Sequence, residues 1–158
     1  MNATGAMQIV DRLVAADIPF VVIGGHAVNA HGFIRATEDV DILFERTVKS
    51  QQRLYELLRD IGAYYIGTEI DPHTGIERIH EVTMDYVQTN HLMMLGSNLG
   101  YLDVFDYVPG VAEASVAEVL RSAITIDDRP FVDLRWLRRM KMAAGRPQDQ
   151  IDLQNLPH

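Results

Sequence analysis

The stretch that most narrows what this chain can fold into is residues 20–44, FVVIGGHAVNAHGFIRATEDVDILF. Its apolar run, Phe20 to Ile23, has the length of a buried strand and halts at the pair Gly24–Gly25. Residues 26–31 (HAVNAH) suit a short helix stopping at Gly32, and residues 39–44 read as a second strand. Side chains alternate faces along a strand, so Asp39 and Asp41 share one face, about 6–7 Å apart, while Val40 and Ile42 face a core. Two carboxylates on an otherwise apolar strand repel each other unless a cation sits between them. The pattern asks for a divalent metal.

A third acid stands in a similar setting. Asp103 lies in Tyr101-Leu102-Asp103-Val104-Phe105, with Leu102 and Val104 on one face and Asp103 on the other. If that strand lies beside 39–44, Asp103 completes a carboxylate triad. Two-metal phosphoryl chemistry uses such a set: acids bridge cations about 3.5–4 Å apart and a third holds or activates the attacking hydroxyl. Taken singly, a strand aspartate is as readily an edge or turn residue. The glycine pair after the first strand would let backbone N–H groups approach a triphosphate. Any tight strand-to-helix turn also favours glycine, so the pair gains meaning only from the acids that follow it.

The rest of the chain supplies a frame. Met7, Val10, Leu13, Val14 and Ile18 make a helical stripe over residues 5–17, which Pro19 ends. Thr47 caps a helix over 48–60, closed by Gly62. Residues 63–70 and 76–87 read as strands around a turn-rich loop, followed by an extended Met-rich piece at 91–95 and a strand over 101–108. Residues 111–123 look helical, and Asp128 turns the chain between two short extended pieces. The spacing predicts a helix over 134–144 capped by Gly145, then a last helix over 147–156 with Pro147 at its first position. Strands and helices alternate at the front, strands dominate the middle and helices close the chain. The expected class is α/β (α+β), a short mixed sheet with flanking helices.

Size and charge limit the function classes. The 158 residues suffice for one domain with a proper core, spanning 1–158. Without cysteine there is no disulfide, thiolate metal site or cysteine nucleophile. The N-terminus lacks a basic segment followed by an apolar block, and nothing approaches a membrane span, so the expected location is the cytoplasm. A net charge of −8 disfavours broad nucleic-acid binding. A local basic patch, Arg135, Arg138, Arg139, Lys141 and Arg146, tempers that reading.

Other residues carry weaker signals. Arg35 and Thr37 either contact a triphosphate or serve as a salt bridge and a strand-entry hydroxyl. Lys141 and Arg146 fit the basic end of a helix, which the macrodipole favours without any ligand. His26 and His31 are five apart, not the i, i+4 spacing of helical metal ligands, and His80-Glu81 has Met84 where a zinc-protease motif needs its second histidine. The histidines therefore read as structural or surface residues, with His26 the one to watch because it follows the glycine turn. Met93–Met94 read as core or interface filler, and Trp136 as a packing anchor.

The motif GGHAVNAHGxxRATEDVDIL resembles the signature of polymerase-beta-type nucleotidyltransferases: Gly-Gly/Ser, a spacer, Asp-x-Asp and a distant third Asp. The tail LRWLRRMKMAAGRPQDQIDLQNL resembles a small bacterial branch related to abortive-infection (type IV-like) toxins. The match covers about 45 residues closely. This resemblance implies Asp39 and Asp41 as metal ligands, Asp103 as the third carboxylate and Gly24–Gly25 as the phosphate-binding turn. It further implies Lys141 as a phosphate contact and Asp152 as a tail acid near the site. Mg²⁺ is the implied cofactor, with Mn²⁺ able to replace it. The implied partners are an NTP such as ATP, an acceptor (tRNA, a partner protein or a small hydroxyl compound) and a cognate antitoxin. The chain departs from the pattern at Gly25, where many members carry a serine whose hydroxyl reaches phosphate.

Three functions fit these residues. The first is transfer of a nucleoside monophosphate from an NTP to a hydroxyl. The second is an inactive nucleotide- or partner-binding scaffold of the same fold. The third, a metal-dependent phosphohydrolase, fits the order of glycine turn and DxD less well.

Overall fold

The computed structural model describes residues 4–158; residues 1–3, on which part of the N-terminal reading rests, lie outside them. A six-stranded mixed sheet forms the centre, in the order β5-β6-β2-β1-β8-β7. Its strands are β1 (Phe20–Ile23), β2 (Val40–Phe44), β5 (Leu92–Leu95), β6 (Leu102–Phe105), β7 (Ile124–Ile126) and β8 (Arg129–Phe131). A separate hairpin pairs β3 (Tyr64–Ile70) with β4 (Glu77–Glu81). The expected mixed α/β class is the class observed.

The helices are α1 (Gly5–Ala15), α2 (Gly24–Ala30), α3 (Val48–Asp60), α4 (Met84–Thr89), α5 (Val116–Arg121), α6 (Leu134–Ala144) and α7 (Pro147–Asn155). Local chemistry sets their ends. The Thr47 hydroxyl accepts from the Ser50 N–H while the Ser50 hydroxyl accepts from the Thr47 N–H, so α3 begins in a reciprocal box. The Asp133 carboxylate accepts from the Trp136 N–H to start α6, and Gly145, at φ 62°, ends it. The sheet's apolar side carries the core: Val40, Ile42, Leu102 and Val104 are fully buried, and all four residues of β1 are buried.

Three of the boundaries that differ from those read in the sequence stand out. Residues 84–87, expected to continue a strand, instead belong to α4, because the Thr83 hydroxyl caps the Tyr86 N–H and Val87 turns into the core. The strand expected over 101–108 spans only Leu102–Phe105; just past its end the Asp106 carboxylate binds the Arg46 guanidinium at 2.7 Å. The helix expected over 111–123 starts only at Val116, where the Ser115–Glu118 capping box sets it. Arg46 also donates to the carbonyls of Val87 and Asn90, tying the end of β2 to α4. Among the described residues no helix is long and apolar enough to cross a membrane.

Candidate active site

Strand pairing brings the acids together. β2 runs parallel to β6 with Asp41 opposite Asp103, and antiparallel to β1 with Ile23 opposite Asp41. On the far side of β6, Met94 faces Asp103. Met94, Asp103, Asp41 and Ile23 thus form one row across four strands. The glycine pair directly after Ile23 is delivered to the Asp41 carboxylate by the register alone. A Cβ on Gly24 would enter that carboxylate, and Gly24 sits at φ 69°, a left-handed conformation that glycine adopts without strain. The glycines form the first turn of α2, two residues earlier than the expected helix start.

Asp41 and Asp103 are neighbours in register on adjacent strands, and each perturbs the other's carboxyl. Burial, then the negative charge of Asp103, pushes the Asp41 carboxyl up to about 7; burial raises Asp103 as well. Two neighbouring half-buried carboxyls cannot both ionise cheaply, so the pair favours keeping one proton. Asp39 lies one residue before β2, on the exposed rim of the same hollow. Among the described residues no three His, Cys, Asp or Glu side chains close into a ready metal cage. The pair and its rim acid still suit a magnesium-like ion, which binds through one or two carboxylates and completes its shell with phosphate oxygens and water. A divalent cation there would take the place of that proton.

A hollow of about 340 Å³ opens beside these acids, lined by Gly24, Gly25, Arg35, Thr37, Lys141 and Arg146 among others. A Cβ on Gly25 would run into the Thr37 hydroxyl. Thr37 therefore places a hydroxyl in the volume that a residue-25 side chain would otherwise take. Arg35 makes a two-pronged ion pair with Asp152, Nε to Oδ1 at 2.8 Å and Nη2 to Oδ2 at 2.9 Å. The Lys141 ammonium is buried between Asp149, at 3.1 Å, and Asp152, at 2.9 Å. Asp149 and Asp152 are three apart on α7, and so present one face to α6. Burial alone would raise both carboxyls, but the hydrogen bonds from Arg146 and Lys141 hold Asp149 low, and those from Arg35, Lys141 and Gln148 hold Asp152 down to about 2.

The structure thus gathers Asp39, Asp41, Gly24, Gly25, Arg35, Thr37 and Lys141 around one hollow, with Asp103 beside Asp41 and Asp152 behind Arg35 and Lys141. The expected basic patch is not one surface. Lys141 is internal, Arg135 and Arg139 lie over the Trp136 ring, and Arg138 donates to the Leu153 carbonyl. Asp149 was not singled out in the sequence, although its i, i+3 spacing from Asp152 in a helix following a buried lysine was the available signal. The His31 ring bonds the Val132 carbonyl, while the His26 Nε2 is buried without a hydrogen-bond partner. Burial and the nearby Arg35 lower the His26 pKa.

No family model matches the chain, and no curated protein does. Among solved structures, JHP933 from Helicobacter pylori is similar over 94% of this chain and 61% of its own, at 17% identity and a TM-score of 0.49. A second H. pylori protein, provisionally called a nucleotidyltransferase, is similar over 87% of this chain and 55% of its own, at 16% identity and a TM-score of 0.45. The chain therefore spans under two thirds of either protein. At these identities and scores the likenesses do not bear on what the chain does.

Proposed function

We propose that this chain is a polymerase-beta-type nucleotidyltransferase domain, transferring a nucleoside monophosphate from an NTP to an acceptor hydroxyl. The observation that carries the reading is the register that sets Asp41 against Asp103 with the Gly24 elbow on the Asp41 carboxylate. Asp39, Asp41 and Asp103 would hold Mg²⁺ or Mn²⁺, which when bound supplies charge neutralisation of the triphosphate. Gly24 and Gly25 admit phosphate close to the backbone, and the Thr37 hydroxyl supplies the contact that serine gives elsewhere. Arg35 and Lys141, held by α7, present positive charge to the same hollow without being free to swing. Asp103 accepts the proton of the attacking hydroxyl. The narrow apolar slot between Ile23, Phe105, Leu137 and Met140 continues from the hollow and suits the base or ribose of an NTP such as ATP. By the same reading the domain works in the cytoplasm, on tRNA or a partner protein, and pairs with an antitoxin.

The test is transfer of label from α-labelled NTPs to tRNA, protein and small hydroxyl acceptors in Mg²⁺. Folded Asp41→Ala is expected to lose all transfer, and transfer at the wild-type rate by that variant ends the reading. One observation favours the alternative of a non-catalytic scaffold: Asp149 and Asp152 already neutralise Lys141, and Asp152 neutralises Arg35. Tight nucleotide binding in calorimetry with no pyrophosphate released is the result that scaffold predicts.

A further inference from the structure

A second hollow, of about 180 Å³, shares Asp39 with the first and is lined by Asp103. Its walls are Tyr64, Ile66, Met94 and Tyr101. Ile66, Met94 and Tyr101 are each more than half exposed, around a hollow that Asp39 and Asp103 also line. The Tyr64 ring is set there by a close approach. Tyr64 exchanges both backbone hydrogen bonds with Gly96, at 2.9 and 3.0 Å, and its ring fills the space where a Gly96 side chain would stand. The apolar surface continues onto the hairpin, where Ile66 faces Ile79 across the ladder.

The charge around this shelf selects among occupants. No lysine or arginine lines the hollow. The hairpin and α4 carry Glu69, Asp71, Glu77, Glu81 and Asp85 against a single arginine, Arg78. A polynucleotide needs cations along its path, and this approach is acidic. An exposed apolar patch with a carboxylate rim instead fits a polypeptide whose apolar residues are flanked by basic ones.

We infer that the acceptor is a side-chain hydroxyl of a polypeptide, seated on Tyr64, Ile66, Met94 and Tyr101 with its oxygen toward Asp103. The inference rests on the nucleotidyltransferase reading and names its substrate class. The hydroxyl oxygen bonds to the α-phosphorus and its proton passes to Asp103. The bond from the α-phosphorus to the bridging oxygen breaks, and pyrophosphate leaves with that electron pair. The product is a protein carrying a nucleoside monophosphate in phosphodiester linkage.

The experiment supplies α-³²P-labelled NTPs, Mg²⁺ or Mn²⁺, and three probes to the whole chain. These are Lys-Lys-Leu-Xaa-Leu-Lys-Lys peptides with Xaa as Ser, Thr or Tyr, the same peptides with Glu for Lys, and bulk tRNA. Label is expected on the lysine-flanked peptides, about tenfold or more above the glutamate-flanked set, and not on tRNA. Ile66→Glu and Tyr101→Ala, both at exposed positions, should raise KM for the peptide by about tenfold with KM for the NTP moving less than about twofold. Label on tRNA alone, no label on any peptide, or a peptide KM indifferent to both changes overturns the inference. Calorimetry of NTP with Mg²⁺ separates the two levels. If binding persists while the peptides stay unlabelled, only the acceptor assignment fails; if NTP does not bind, nucleotidyl transfer itself fails and takes the acceptor with it.

Discussion

The proton kept by the Asp41 and Asp103 pair makes a measurable statement about stability. The Asp41 carboxyl is raised from 3.8 to about 7, chiefly by burial and then by Asp103. A folded state that binds this proton more tightly than the unfolded chain is favoured at low pH. The advantage is complete below 3.8 and is lost as pH rises through about 7. Each tenfold change in proton affinity is worth about 1.4 kcal/mol, giving an upper bound on the order of 4 kcal/mol; coupling to Asp103 and partial solvent access bring the expected figure to about 2 kcal/mol. Asp41→Asn keeps a donor toward Asp103 and removes the ionisation. In EDTA at pH 8 the variant should be about 2 kcal/mol more stable than wild type, or roughly 4–8 °C in Tm, with the gap narrowing as pH falls and near parity only below 3.8. His26, with its lowered pKa, acts in the opposite sense as pH rises toward 6.5, and the difference between the two proteins cancels it. Urea unfolding across this pH range, with and without Mg²⁺, is the assay. Mg²⁺ should stabilise wild type at pH 8 and not Asp41→Asn. Equal stabilities at pH 8 in EDTA, or equal Mg²⁺ effects, would refute the reasoning.

Three further outcomes are expected. Lys141→Met leaves the unexposed carboxylates of Asp149 and Asp152 without their shared ammonium, so urea midpoints should report a loss of about 3–5 kcal/mol; a loss under about 1 kcal/mol contradicts the buried pairing. Gly24→Ala forces a Cβ into the Asp41 carboxylate at a left-handed φ, costing at least about 1–2 kcal/mol, and should abolish the Mg²⁺-dependent rise in Tm. Acid should unfold the chain through α7. Asp152, held down to about 2, contributes stability that is present above 3.8 and lost as pH falls through about 2, and Asp152→Asn should flatten circular-dichroism titrations in that range.

Several features were legible before any coordinates because they depend on neighbours in sequence. The N-cap Thr47, the stop at Gly145 and Pro147 at the start of α7 all act within four residues, so α3, α6 and α7 could be placed closely. The alternation of Asp39 and Asp41 with Val40 and Ile42 likewise assigned acids and core to opposite faces. Residues 84–87 were misread because one aromatic and one β-branched residue suit a strand as well as a helix, and the Thr83 cap that decides between them is a single hydrogen bond.

The tertiary structure decided what local pattern cannot carry. Whether Asp103 meets Asp41 depends on β6 choosing β2 as a parallel neighbour, a pairing across some sixty intervening residues with no period of its own. Whether Lys141 is a surface cation or an internal one depends on α7 folding back to place Asp149 and Asp152 over it. Composition and spacing determined which side chains carry charge and which face of each element they occupy. Chain crossover determined which charges stand a hydrogen bond apart, because Coulomb and desolvation energies follow distance in space and burial rather than position along the chain.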